Sequence, residues 1–79
     1  MESVAEVPEG KGIIGTRTVI KNINNGKVKT VIFAKNCPAE MIEKIDTKKV
    51  SVKMFQGDEA LLGTKLGKPF PVAMVGYEK

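Results

Sequence analysis

Apolar positions along this chain alternate between the spacing of strands and the spacing of helices. Residues 28–34 form a nearly continuous apolar and β-branched run, which predicts a central strand covered on both faces. Residues 50–55 alternate between two faces, which predicts a less buried strand near an edge. A short strand at Ile13-Ile14 and a last strand over residues 72–77 complete the set.

In the segments between these strands, apolar residues recur at the spacing of helices. A first helix is predicted over residues 17–25, with Thr16 as its N-cap and Gly26 at its left-handed end. Pro38 suits the first turn of a second helix, and Asp58 can cap a third. The alternation predicts an α/β fold, a small three-layer α/β/α sandwich with a central four-stranded mixed sheet. Ligand sites in such folds lie at the loops that leave the strand ends.

Length and composition limit the chain to one small domain. Its 79 residues, 42% hydrophobic and 28% charged, suit a globular protein rather than a disordered or membrane-spanning one. We expect a flexible N-terminal segment over residues 1–10 and a single domain over residues 11–79. The first ten residues are acidic and lack the apolar region of a signal peptide. The single cysteine, Cys37, excludes an internal disulfide and fits a reducing cytoplasm.

Positive charge is concentrated in one stretch of the chain. The net charge is only +4, but residues 11–39 contain no acid and these bases: Lys11, Arg17, Lys21, Lys27, Lys29 and Lys35. Within this stretch, Gly15-Thr16-Arg17-Thr18 is typical of a tight turn that enters a helix. Turn amides, a helix N-terminus and clustered cations together favour a phosphate backbone as the partner, and RNA in particular.

One side of the first helix carries part of this charge. Arg17, Lys21 and Asn24 share that side because they stand at positions i, i+4 and i+7. A solvated helix face is the ordinary explanation of such a pattern. However, no acid is interleaved with these bases, as ion pairing along an exposed helix would require. This side is therefore a candidate RNA surface.

Enzymatic motifs are poorly matched. Residues 10–15 fit G-x-G-x-x-G, but no hydrophobic strand precedes them and no acid follows before Glu40. The chain has no histidine, which excludes a Cys–His dyad, and Cys37 is better explained as a small residue at a strand–helix junction. Glu40 and Glu43 suit a charged helix face. The sequence therefore predicts a non-enzymatic protein without catalytic residues, metal site or cofactor.

Two loop residues have competing explanations. Phe70 lies between two prolines and is either a core residue beneath its loop or a stacking platform for an unpaired base. Asn36 either N-caps the helix that starts near Pro38 or offers its amide to a base edge. Lys35 and Lys68 are the cations of these two loops, which we expect at the same sheet edge as the glycine turn.

Four segments, taken in order, resemble a known family. They are Gly15-Thr16-Arg17-Thr18-Val19-Ile20-Lys21, then Gly26-Lys27-Val28-Lys29 leading into Val31-Ile32-Phe33-Ala34, then Asn36-Cys37-Pro38, and then residues 62–72. Together they resemble the kink-turn RNA-binding ribosomal proteins of archaea and eukaryotes, in particular the large-subunit ribosomal protein thirty type. Relatives include the core protein of box C/D ribonucleoproteins and small bacterial kink-turn binders. The resemblance covers about residues 11 to 77.

The resemblance implies an α/β/α sandwich that recognises a sharply bent internal loop with tandem sheared G·A pairs. It assigns Gly15, Thr16, Arg17 and Thr18 to the G·A pairs and backbone, Lys21 to a phosphate, Asn36 to a base, and Phe70 to an extruded base. The chain departs from the family pattern at its N-terminus, where the family has a helix, and after Pro38, where the helix is shorter. Thr18 also replaces the acidic or amide residue that some branches use against guanine.

These observations predict a cytoplasmic, non-enzymatic protein that binds kink-turn-like RNA as a large-subunit ribosomal protein or ribonucleoprotein component. The expected partners are structured RNA, including rRNA, and ribosomal proteins, with no membrane. The alternative is a protein–protein interaction module of the same fold, which would present its basic face and Phe70 to an acidic partner.

Overall fold

Five strands and three helices lie in the part of the chain that the computed structural model describes, which is residues 2–8, 12–45 and 47–78. The strands are β1 (Glu2–Val4), β2 (Ile13–Ile14), β3 (Thr30–Phe33), β4 (Ser51–Phe55) and β5 (Met74–Tyr77). The helices are α1 (Thr16–Asn24), α2 (Ala39–Glu43) and α3 (Glu59–Lys65). No helix within these ranges is long and apolar enough to cross a membrane.

The strands form one mixed sheet in the order β1-β4-β3-β5-β2. β1, β4 and β3 run parallel, whereas β5 is antiparallel to both β3 and β2. The carboxyl ends of β1 to β4 therefore meet the start of β5 at one edge of the sheet. We call this edge, with the loops that leave it, the rim. Because α1, α2 and α3 each follow a strand that ends there, all three helices begin at the rim.

Apolar side chains fill both sides of the sheet. α1 and α2 cover one face, over a cluster formed by Val19, Ile23, Val28, Val31, Phe33, Cys37, Ile45, Val50 and Met74. α3 covers the other face, over a cluster formed by Ile32, Ala34, Phe55, Leu62, Val72, Val75 and Tyr77. β3 contributes to both clusters, as its continuous apolar run predicted. The three-layer α/β/α architecture is therefore confirmed.

The sheet has one strand more than the four predicted. β1 pairs in parallel with residues 53–55 of β4, although its residues were expected in a flexible segment. Val4 and Val7 pack against the cluster beneath α3, and Lys65 Nζ lies 3.0 Å from Glu6 Oε1. Parallel pairing between distant segments leaves no turn signal in the sequence, which explains why β1 was missed. β4, expected near an edge, is an interior strand because β1 covers it.

The ends of α1 and α3 follow their sequence signals, except at the start of α1. Gly15, rather than Thr16, is the N-cap of α1, and no side chain caps that end. At the other end, Gly26 has a φ of 75°, which confirms the predicted left-handed stop. Asp58 caps α3 as predicted, since its Oδ1 accepts a hydrogen bond of 2.9 Å from the Leu61 amide.

Two adjacent leucines of α3 provide a stability test of this packing. Leu62 is fully buried against the sheet, whereas Leu61 is 44% exposed. We expect Leu62→Ala to lower the free energy of unfolding by about 2–5 kcal/mol, because it leaves a cavity in the core. Leu61→Ala, the matched control, should cost less than about 1 kcal/mol because its side chain is largely solvated already. Urea unfolding measures both, and equal losses would contradict this packing.

Candidate nucleic-acid interface

Hydrogen bonds between backbone groups hold the loops of the rim together. The Lys35 amide donates to the Gly57 carbonyl at 2.8 Å, which ties the loop after β3 to the loop after β4. The Ala34 amide donates to the Ala73 carbonyl at 2.8 Å, which ties the same loop to the segment before β5. Three segments that are distant in the chain therefore occupy fixed positions at one sheet edge.

Asn36 fixes the start of α3. Its side-chain Oδ1 accepts a hydrogen bond of 3.0 Å from the Glu59 amide, and the Glu59 carbonyl accepts one of 3.0 Å from the Val72 amide. Of the two explanations offered for Asn36, capping of the helix after Pro38 is therefore excluded, since α2 has Pro38 at its N-cap and no side-chain cap. Only the oxygen of the Asn36 amide is used in this way. Its Nδ2 has no hydrogen-bond partner within the described residues, and the side chain is exposed.

The loop that carries Phe70 lies directly against α3. A Cβ on Gly63 would clash with the Phe70 carbonyl oxygen, so the close approach depends on glycine at this position. The Phe70 side chain is 50% exposed, which excludes the explanation that it is a core residue. It borders an open cavity of about 290 Å³ with these other lining residues: Ala60, Thr64, Lys68, Pro69 and Pro71.

The N-terminal turn of α1 forms another part of the rim. Gly15 has a φ of 103°, which L-residues rarely adopt, and it is exposed together with Arg17 and Thr18, while Thr16 is partly buried. The first amides of a helix have no partner within the helix, and no side chain caps them here. Amides of this kind can donate hydrogen bonds to phosphate or base oxygens.

The cationic side of α1 forms a groove with α2. Arg17, Lys21 and Asn24 line an open cavity of about 370 Å³, as their shared helix side predicted. Lys21 lies one helical turn farther from the rim than Arg17. Lys35 is exposed in the rim loop after β3, whereas Lys68 is exposed beyond the C-terminal end of α3, where its amide donates to the Gly63 carbonyl at 2.9 Å. The structure thus brings six of the nine predicted residues to the rim or the first turn of α1: Gly15, Thr16, Arg17, Thr18, Lys35 and Asn36. Lys21 lies beside them on α1, and Lys68 and Phe70 lie on the loop that returns along α3 to β5.

The two buried ionisable groups with shifted pKa values, Cys37 near the rim and Tyr77 at the opposite edge of the sheet, do not suggest catalysis. Burial raises the pKa of the Cys37 thiol, and the negative charge of Glu59 raises it further. Such a thiol is protonated at neutral pH and is therefore a poor nucleophile. Burial also raises the pKa of Tyr77, whose hydroxyl has no hydrogen-bond partner in the described part of the chain. Within the same ranges, no group of three or more His, Cys, Asp or Glu side chains could hold a metal ion.

Two residues that the sequence analysis did not assign to the site have structural roles in it. Glu59 connects Asn36 to Val72 through its backbone, which no side-chain pattern can indicate. Gly63 permits the loop contact, and its signal was a glycine inside an otherwise helical segment, where glycine is normally unfavourable.

Comparison with known proteins identifies the class. The model of the Ribosomal protein L7Ae/L30e/S12e/Gadd45 family matches residues 3–79, and the chain belongs to this family. This class is a non-enzymatic ribosomal RNA-binding family, which confirms the resemblance found in the sequence and the expectation that the protein is not an enzyme.

The relatives are ribosomal and RNA-binding proteins. The chain is 42% identical over 60 residues to the large ribosomal subunit protein eL30 of Archaeoglobus fulgidus, covering 76% of this chain and 70% of that protein. It is 40% identical over 67 residues to eL30 of Zea mays, covering 80% and 60%. Among solved structures, the Giardia lamblia 15.5kD RNA binding protein superposes with a TM-score of 0.70 at 25% identity, covering 86% of this chain and 60% of that one.

The contact between Asn36 and α3 predicts different effects for two substitutions. Asn36→Ala removes the oxygen that caps the Glu59 amide and should cost about 0.5–2 kcal/mol of stability. Asn36→Asp keeps an acceptor at that position, and a carboxylate is favourable at a helix N-terminus, so we expect it to retain most of the stability. Urea unfolding of both variants checks this. An alanine variant as stable as the wild type would show that the cap contributes nothing.

Proposed function

We propose that this protein recognises kink-turn-like RNA through the rim, as a component of the large ribosomal subunit in the cytoplasm. The family and the eL30 relatives support a ribosomal RNA-binding role, and the choice of a kink-turn follows from the resemblance described above. Ribosomal proteins and rRNA are the expected partners. The observation that carries the proposal is that Arg17, in the first turn of α1, and Asn36, after β3, follow strand ends at one edge of the sheet, while Phe70 is half-exposed on the loop that returns along α3 to that edge.

Each part of the rim suits a different feature of a bent RNA. The free amides at the start of α1 and the Arg17 guanidinium can bind phosphates that crowd together at the bend. The Nδ2 group of Asn36 is a donor suited to the acceptors of an exposed base edge. The half-exposed ring of Phe70 can stack on a base that has left the helix, which is how proteins usually read RNA sequence.

Binding of this kind would stabilise one conformation of the RNA. The contacts require crowded phosphates and splayed bases at the same time, and an open internal loop does not present both. A protein with differential affinity for the bent state shifts the RNA toward that state. The protein would therefore act by stabilising one RNA conformation and not by catalysing a reaction.

The first test compares two RNAs that differ only at the bend. We expect the protein to bind a kink-turn RNA more tightly than the same RNA with its G·A pairs replaced by Watson–Crick pairs. Electrophoretic mobility shift or fluorescence anisotropy at fixed salt gives both dissociation constants. Equal affinities would contradict specific recognition, and RNA-independent copurification with an acidic protein would favour the interaction-module alternative.

The second test examines the Phe70 ring. Phe70→Ala should weaken binding to the kink-turn RNA by about 1–3 kcal/mol, because it removes a stacking surface. Phe70→Leu is the matched control, since it keeps an apolar side chain of similar reach without an aromatic face. We expect the leucine variant also to lose affinity, with an unchanged fold in both by circular dichroism. If leucine restores wild-type affinity, the ring acts as an apolar contact and not as a stacking platform.

A further inference from the structure

A groove between α1 and α2 extends from Arg17, which the proposed function already uses, to residues outside the contacts proposed above. Its cavity of about 370 Å³ is lined by Arg17, Ile20, Lys21 and Asn24 of α1, and by Met41 and Lys44 at α2. Asn24 and Lys44 are exposed. The sequence analysis placed Asn24 on the candidate RNA surface of the first helix but gave Lys44 no role. Because α2 contains only five residues, it leaves this side of α1 partly uncovered.

The groove leads away from the rim. α1 follows β2 and α2 follows β3, so both helices begin at the rim and return the chain toward the opposite edge of the sheet. Arg17 lies in the first turn of α1, whereas Asn24 is its last residue and Lys44 follows the last residue of α2. A ligand that enters at the rim can therefore continue along the groove to Lys44.

The charge of the groove indicates the chemistry of that ligand. Three of its lining residues are cations, and none of those named as lining it is an acid. Within the described ranges, Arg17, Lys21 and Lys44 form no ion pair with the protein's own carboxylates. Side chains three or four positions apart on a helix are about 5–6 Å from each other, a spacing comparable to that of successive phosphates along a strand. The partly buried Ile20 and Met41 form an apolar floor, which strengthens charge interactions above it.

We propose that this groove binds the phosphate backbone of an RNA stem that flanks the bend, with Lys44 and Asn24 as its distal contacts. The inference rests on the proposed function and extends it, because it assigns to the protein a contact with regular duplex as well as with the bent loop. Phosphate contacts of this kind add affinity and orientation without sequence preference.

The test varies the length of the RNA stems. The reference is a kink-turn RNA with two long flanking stems. It is compared with RNAs in which one stem, the other stem, or both are shortened to the base pairs next to the bend. Lys44→Gln should bind an RNA with the relevant long stem roughly 3-fold more weakly and lower the slope of log affinity against log salt by about one. It should bind the shortened RNA as the wild type does, because that RNA does not reach Lys44.

A second variant tests the groove by gain of affinity. Asn24→Lys adds a cation at the distal end, where positive charge also suits the C-terminus of α1. We expect it to bind the long-stem RNA more tightly, with a slope steeper by about one. Lys29→Gln is the matched control, because the exposed Lys29 precedes β3 and so lies at the edge of the sheet opposite the rim. The Lys29→Gln variant should bind the long-stem RNA and the shortened RNA with nearly the affinity of the wild type.

The outcomes separate this inference from the proposed function. Discrimination by the wild type between the bent RNA and the RNA with disrupted G·A pairs tests the rim alone. With that discrimination intact, unchanged long-stem binding by Lys44→Gln and Asn24→Lys would overturn the groove proposal. An equal loss on long and short stems would overturn it too. If the groove instead binds an acidic protein, Lys44→Gln and Asn24→Lys will leave binding of the long-stem RNA unchanged.

Discussion

The backbone of Glu59 is the point on which the candidate site depends. Its amide holds Asn36 at the end of β3, and its carbonyl holds Val72 at the start of β5. One residue at the beginning of α3 therefore fixes the relative positions of two loops that are separated by more than thirty residues in the chain. Glu59 contributes only backbone groups to these two hydrogen bonds, and the side-chain oxygen of Asn36 is the acceptor of the first. The Asn36 side chain thereby has one atom committed to structure and another left for a ligand.

Phe70 shows how a small domain can keep a large aromatic ring partly in solvent. The loop that carries it packs so closely on α3 that Gly63 cannot be replaced by a larger residue without movement. Pro69 and Pro71 restrict the backbone on either side of the ring. A ring held in this way loses little conformational freedom on binding, which favours affinity.

Two features of the layers that cover the sheet have structural consequences. β1 adds a strand beside β4, and Val4 and Val7 extend the cluster beneath α3. On the other face, the short α2 leaves the groove along α1 open. β1 also ends at the rim, where the Val4 carbonyl accepts a hydrogen bond of 2.8 Å from the Gln56 amide in the loop after β4.

The sequence by itself determined the element types, the three layers, the caps at Asp58 and Gly26, and the shared side of Arg17 and Lys21, because periodicity and local turn chemistry encode them. It could not determine β1, since strand pairing at a distance leaves no local signal. It also left two explanations each for Asn36 and Phe70. Only the tertiary structure excluded one explanation of each pair, the α2 cap for Asn36 and the core position for Phe70, because the exclusion depends on which distant group lies beside each residue: the Glu59 amide for Asn36, and α3 with open solvent for Phe70.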